Sequence, residues 1–288
     1  RQMVAYWADH GATSFKAYMN LTRAELGAAI TEAHKRGLKL TGHLCSVTFR
    51  EAAALGIDDL EHGLMVASDF VENKKPDECP GIAVQPSIAK LDIASEPVQS
   101  LIRDLVAKHV AVTSTLTVFE TFTPGRQTIN QRVLDAMIAD ARAAYLTSRA
   151  RAVETPNSPW PALFQKEMEF EHAFAKAGGL LLVGTDPTGF GGVIAGYSNQ
   201  RALELLVEAG FTPLEAISIA TLNGAKYLGR ADKVGTIAVG KAADLVVIRG
   251  DPSVRIADVE RMETVFKDGV GYDSARLFAA AKGVVGLR

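Results

Sequence analysis

Between residues 12 and 63 the apolar and polar positions alternate between two periods. "TSFKAYM" reads as a strand, and "LTRAELGAAITEAHKRG" follows at helical spacing, opened by a Thr22/Glu25 capping box and stopped at Gly37. "LKLTGH" returns to strand, "SVTFREAAALG" to a short helix with a second box from Thr48 to Glu51, and "IDDLEHG" to a third strand. The order predicts consecutive βα units. In the first stretch Ala12, Phe15, Ala17, Tyr18 and Met19 read as the end of a buried strand, which leaves Lys16 as a charge in apolar company.

Further along, residues 64–95 lose the pattern, with "KKPDECPG" a loop by its proline, glycine and charge. "SEPVQSLIRDLVAKH" predicts a helix capped by Ser95, and "VAVTSTLTV" a buried strand. Residues 127–178 read as helical apart from a break at "TPNSPWP", a lid-like excursion. "GGLLLVGTD" is another apolar strand with Asp186 at its end, followed by two helices, the second opened by Thr212, Pro213 and Glu215. After residue 229, "VGTIAVGKAADLVVIRGDP" and "METVFKDGVGY" change to short strands and turns. This places an α/β domain at 1–229 and a small β portion with a tail at 230–288.

Composition narrows the partner more than the fold. With 48% hydrophobic and 22% charged residues and a formal net charge of -2, the 288-residue chain has no basic footprint for nucleic acid or a membrane surface. No apolar run approaches the roughly 18 residues of a membrane helix. A small-molecule partner is the expectation, and self-association into a homo-oligomer stays open. Cys45 and Cys79 are too few for a disulfide framework and form no CxxC pair, so the redox compartment stays open. The chain opens at Arg1 in what reads as mid-helix, so an upstream part is expected and the lack of a leader says nothing about export.

Lys16, His43, His62 and Asp186 each stand where a strand gives way to its loop. In parallel α/β barrels these positions converge. Two imidazoles and a carboxylate suit zinc or a similar divalent ion. A protonated lysine beside a cation would be repelled, so its charge has to change.

The pieces "SFKAYM", "TGHL", "LEHG", "VGTDP", "TLNGAKYLG" and "VGTIAVGKAADLVVI" resemble, in order, the metal-dependent amidohydrolase superfamily and its imidazolonepropionase- and Xaa-Pro dipeptidase-like branch. The resemblance implies a (β/α)8 TIM-type barrel with a small β-sandwich appendage, of which this chain carries the C-terminal portion, about strands 4 to 8. It implies that Lys16 takes up carbon dioxide as a carbamate bridging two zinc ions, that His43 and His62 hold one of them, and that Asp186 holds the other and carries protons. The implied reaction is attack of metal-bound hydroxide on an amide-like C–N bond in a dipeptide, an N-acyl amino acid or a cyclic amide. The family's His-x-His pair is absent from the chain, whose histidines are residues 10, 34, 43, 62, 109 and 172. An N-terminally truncated member is therefore expected.

Two other readings stay open: an aldolase-like barrel with Lys16 as Schiff-base nucleophile, and a fragment without activity that binds only a metal or a partner chain. His34 reads as a solvated partner of a helix C-terminus, and His10, His109 and His172 lack strand-end placement. Cys45 reads as a small packing residue. "GTDPTGFGG" has no phosphate-loop pattern and reads as a mobile loop. Tyr18, Ser87, Thr115, Thr117 and Thr188 are candidates for lining a substrate pocket.

Overall fold

The computed structural model describes residues 1–126, 129–187 and 192–286. They fall into two compact units, Arg1–Ser114 with Gln165–Leu182, and Thr115–Phe164 with Val183–Arg288.

The first unit is built on a five-stranded sheet in the order β1 (Ser14–Ala17), β2 (Lys39–Gly42), β3 (Asp59–Glu61), β4 (Ala111–Ser114) and β5 (Leu181–Val183). β1 to β4 pair in parallel, and Val112 N donates to Leu180 O at 3.1 Å beside β5. The βα reading of residues 12–63 holds. Thr22 and Thr48 each accept from the backbone N–H three residues on, while Glu25 and Glu51 reach back, completing both capping boxes. Leu26, Ile30, Phe49, Ala52, Leu101 and Ile102 form apolar helix faces under 3% exposed. Across the strands one face carries the row Ala17, Gly42, Leu60 and Val112, as the register requires of residues with the same parity.

Three expectations need correction. β1 is not a buried strand: at the edge of the sheet, only its Ala17 is buried. Strand structure in "VAVTSTLTV" stops at Ser114; Thr115, at φ -135° and ψ 40°, turns the chain into the helix Leu116–Phe122, whose Leu116 and Phe119 are buried. Cys45 is not merely a packing residue. It is bonded to Cys79 with a Cα–Cα distance of 4.8 Å. The loop that looked irregular folds back to make this possible: Asp77 accepts from Arg23 N at 2.8 Å and Nε at 2.9 Å, and Lys74 Nζ donates to Ser46 O at 2.6 Å. Closing a loop across a separation of 34 residues constrains the unfolded chain by about 4 kcal/mol in the chain-entropy picture.

The second unit is helical, with Gln131–Ala136, Ala139–Glu154, Ser198–Glu208 and Pro213–Ser218 as its main regular helices, the last opened by a Thr212/Glu215 capping box. Towards its C-terminal end comes an antiparallel sheet of β6 (Leu245–Ile248), β7 (Met262–Lys267) and β8 (Val270–Asp273), followed by the helix Ser274–Ala281. The stretch "VGTIAVGK" was read with the strands but folds as turns. Gly235 and Gly240 take left-handed φ of 90° and 89° at its two ends, and Ile237 and Val239 are exposed. Among the described residues no helix is long and apolar enough to cross a membrane.

Candidate functional site

Parallel register brings the polar residues of four strands onto one face. Lys16 lies opposite Thr41, Thr41 opposite Asp59, and Glu61 opposite Thr113. Lys16 Nζ is ion-paired with Glu61 Oε2, while Thr41 Oγ1 donates to Glu61 Oε1 at 2.5 Å and Thr113 Oγ1 to Asp59 Oδ2 at 2.8 Å. Glu61 thus ties β1, β2 and β3 together through side chains as well as backbone.

His43 and His62 each follow the last residue of a strand. His43 N donates to Ala17 O and His62 N to Thr113 O, both at 3.1 Å, so each histidine leaves its strand still attached to the neighbouring one. Their rings meet edge to face with centroids 4.5 Å apart, and Glu61 Oε2 lies 3.8 Å from His62 Nε2. The Tyr18 ring lies 4.8 Å from that of His43. Burial, with the nearby His43 and Lys16 adding to it, pushes the His62 imidazole down to about 3. At neutral pH His62 is a neutral base. Burial also raises Asp59 to about 7 against the opposing Thr113 hydrogen bond.

The other residues singled out from the sequence fall elsewhere. Asp186 lies three residues past β5, in the second unit, at φ 46°. Thr115 and Thr117 are buried in that unit, where Thr117 Oγ1 donates to Thr185 O at 3.2 Å. Ser87 donates to Val84 O at 2.7 Å within its own short helix. Thr188 lies outside the described residues. Among the described residues no three His, Cys, Asp or Glu side chains converge as a metal-holding cluster. Of the remaining histidines, His34 pairs with Asp58 at 2.8 Å and His10 stacks on Tyr6 with centroids 4.1 Å apart.

Sequence reasoning missed Glu61, Asp59, Thr41 and Thr113: a two-residue step back from His43 reaches Thr41, but Glu61 and Asp59 have the opposite parity to His62, and Thr113 lies on a strand with no metal-ligand candidate singled out at its end. It also missed Glu167 and Glu171, one helical turn apart on the helix Trp160–Lys176 and both 0% exposed. Glu167 accepts from Leu64 N at 3.2 Å and Met65 N at 2.8 Å. Burial raises both carboxyls, Glu171 to about 8, with Glu171 raising Glu167 further. A carboxyl raised in the fold binds more protons folded than unfolded, so its contribution to stability falls as pH rises from the unfolded value near 4.5 towards 8. Glu171→Gln is therefore expected to match wild type near pH 5 and to exceed it near pH 8 by on the order of 2 kcal/mol. Thermal melts at the two pH values check this; a pH-independent difference would count against it.

In the second unit a cavity of about 100 Å³ is lined by Thr117, Glu120, Tyr145, Arg149, Tyr197 and Arg201 among others. Arg149, 3% exposed, donates to Thr121 O, Thr123 O and Arg126 O, binding the carbonyls at the end of the helix Leu116–Phe122. Arg201 holds Glu120 through Nε and a terminal nitrogen at 2.9 and 2.8 Å. This wall of the cavity is a fixed ion-pair network.

The profile of the Amidohydrolase family matches residues 3–271. The chain belongs to the amidohydrolase family. Among curated relatives, an imidazolonepropionase from Parabacteroides distasonis is 40% identical over 65 residues, 21% of this chain and 15% of that enzyme. Among solved structures, a bottromycin amidohydrolase superposes with a TM-score of 0.69 at 24% identity, covering 98% of this chain and 62% of the other. A Xaa-Pro dipeptidase with methionine bound in its active site gives 0.61 at 20% identity, covering 92% and 56%. The amidohydrolase fold is thus common to all three, and this chain spans less than two thirds of the length of either structure.

Proposed function

We propose that the chain carries the strand-end site of a hydrolase acting on amide-like C–N bonds, with a dipeptide, an N-acyl amino acid or a cyclic amide as substrate. The five-stranded sheet is then strands four to eight of a (β/α)8 barrel spanning residues 1–229, and residues 230–288 contribute to a β-sandwich. The observation that carries the reading is the meeting of His43 and His62 at 4.5 Å beside the Lys16–Glu61 pair, on consecutive parallel strands.

The donors fit one divalent ion, zinc in this reading. His62 is kept neutral by burial, the state a metal needs, and His43 stands against it. Lys16 completes the set once carbon dioxide has made its amine an anionic carbamate. Such an anion beside Glu61 would call for a cation. A divalent ion bound there supplies Lewis acidity towards the scissile carbonyl and acidifies water. The chain's own residues do the rest. Glu61 pairs with Lys16 until carbon dioxide modifies the amine, Tyr18 flanks His43 at the open side, and Asp186 receives the proton and passes it to the departing amine.

The experiment is a hydrolysis screen of the three substrate classes with the full chain, with and without a chelator. Cleavage that is lost on chelation and restored by zinc with bicarbonate supports the reading. Cleavage that survives chelation contradicts it.

A further inference from the structure

We propose that Glu167 is a positioning residue that fixes His62 by clamping the turn behind it; the inference rests on the reading of His62 as a metal ligand. The turn is a costly one. His62 has φ 71° and Gly63 φ 55°, two successive residues in the left-handed region, and a 3-10 turn, Gly63–Val66, follows immediately. For a side chain such as histidine that region is disfavoured. The strand supports the turn through His62 N, which donates to Thr113 O at 3.1 Å.

Glu167 supports the turn as well. Its two oxygens are divided between two successive backbone donors, Oε1 taking Leu64 N at 3.2 Å and Oε2 taking Met65 N at 2.8 Å. The fit is close: a Cβ on Gly63 would lie 1.8 Å from Oε1. The glycine of "LEHG" is therefore needed twice, for its left-handed φ and for the room it leaves the carboxylate. Glu167 comes from a helix 102 residues away from Met65 and is 0% exposed. A carboxylate that serves only as filling would be replaced at lower cost by an apolar side chain. Here its two acceptor atoms match two donors whose placement sets where the His62 ring leaves the backbone.

Glu167→Gln separates this role from simple packing, because it keeps the volume but offers one acceptor and turns an NH2 group towards the second N–H. Cobalt(II) is the probe, read by equilibrium titration and by the visible spectrum, which reports ligand geometry. Loss of a group that orients a ligand typically weakens metal binding about 10–100-fold, and that loss, with a changed spectrum at a temperature well below the melting point, is the result expected of Glu167→Gln. A variant that binds cobalt with wild-type affinity and spectrum overturns the clamp alone. Failure of the wild-type chain to bind cobalt overturns the metal site, and the clamp with it. Should the variant not fold, hydrogen exchange of the wild-type protein decides: Leu64 and Met65 amides protected as strongly as those of β4 are expected, and exchange at the rate of an open turn overturns the proposal.

Discussion

Lys16→Ala is expected to lower hydrolysis roughly 1,000-fold or more, the scale of removing several kcal/mol of electrostatic stabilisation. The substitution takes away a side chain that joins the edge strand to Glu61 and leaves His43 and His62 as the remaining donors of the proposed set. Two imidazoles are a poor site for zinc, which takes at least three protein ligands in catalytic centres. Short carboxylic acids, small enough to occupy the space of the lost chain and bearing the same charge as a carbamate, are expected to restore part of the rate. Because carbon dioxide adds to a free amine, the Lys16–Glu61 ion pair has to open first, so the wild-type rate is expected to rise with bicarbonate in carbonate-depleted protein. An unchanged rate in Lys16→Ala would remove the lysine from the mechanism.

Asp186→Asn is expected to slow turnover by about 100- to 10,000-fold, the usual contribution of a positioned acid-base group, while metal content stays close to wild type. The backbone makes this a clean substitution. Asp186 sits at φ 46°, and asparagine tolerates the left-handed region as well as aspartate does. The variant therefore keeps the turn and loses the group that accepts a proton. Steady-state rates and elemental analysis on the same preparation check both halves, and a wild-type rate would contradict the role.

Much of the first unit was legible because its local signals agree with its tertiary needs. Thr22 with Glu25 and Thr48 with Glu51 announce helix starts in any context, and the apolar runs between them allow only strands. The strand-end placing of His43 and His62 followed from the same signals. What stayed hidden depends on partners far away in sequence. Cys45 and Cys79 carry no spacing motif, and the Asp77–Arg23 and Lys74–Ser46 contacts that fold the loop back join residues 28 or more apart in sequence. Glu167 and Glu171 read as an ordinary pair of helix carboxylates one turn apart, and nothing in "FQKEMEFEHAF" tells that this face is the buried one. "TLTVFETF" has the β-branched and aromatic content of a strand yet forms a helix, because burial of Leu116, Phe119 and Glu120 outweighs a weak local preference. Glu61 carries no local signal, because its role depends on Lys16 two strands away.

The central claim is that His43 and His62, with Lys16, hold a divalent ion. Its most direct test is dialysis of the chain against zinc and bicarbonate, followed by elemental analysis, beside a variant carrying His43→Ala and His62→Ala together. Wild type is expected to retain about one equivalent of zinc and the double variant less than about a tenth of that. Equal zinc in the two proteins would contradict the site.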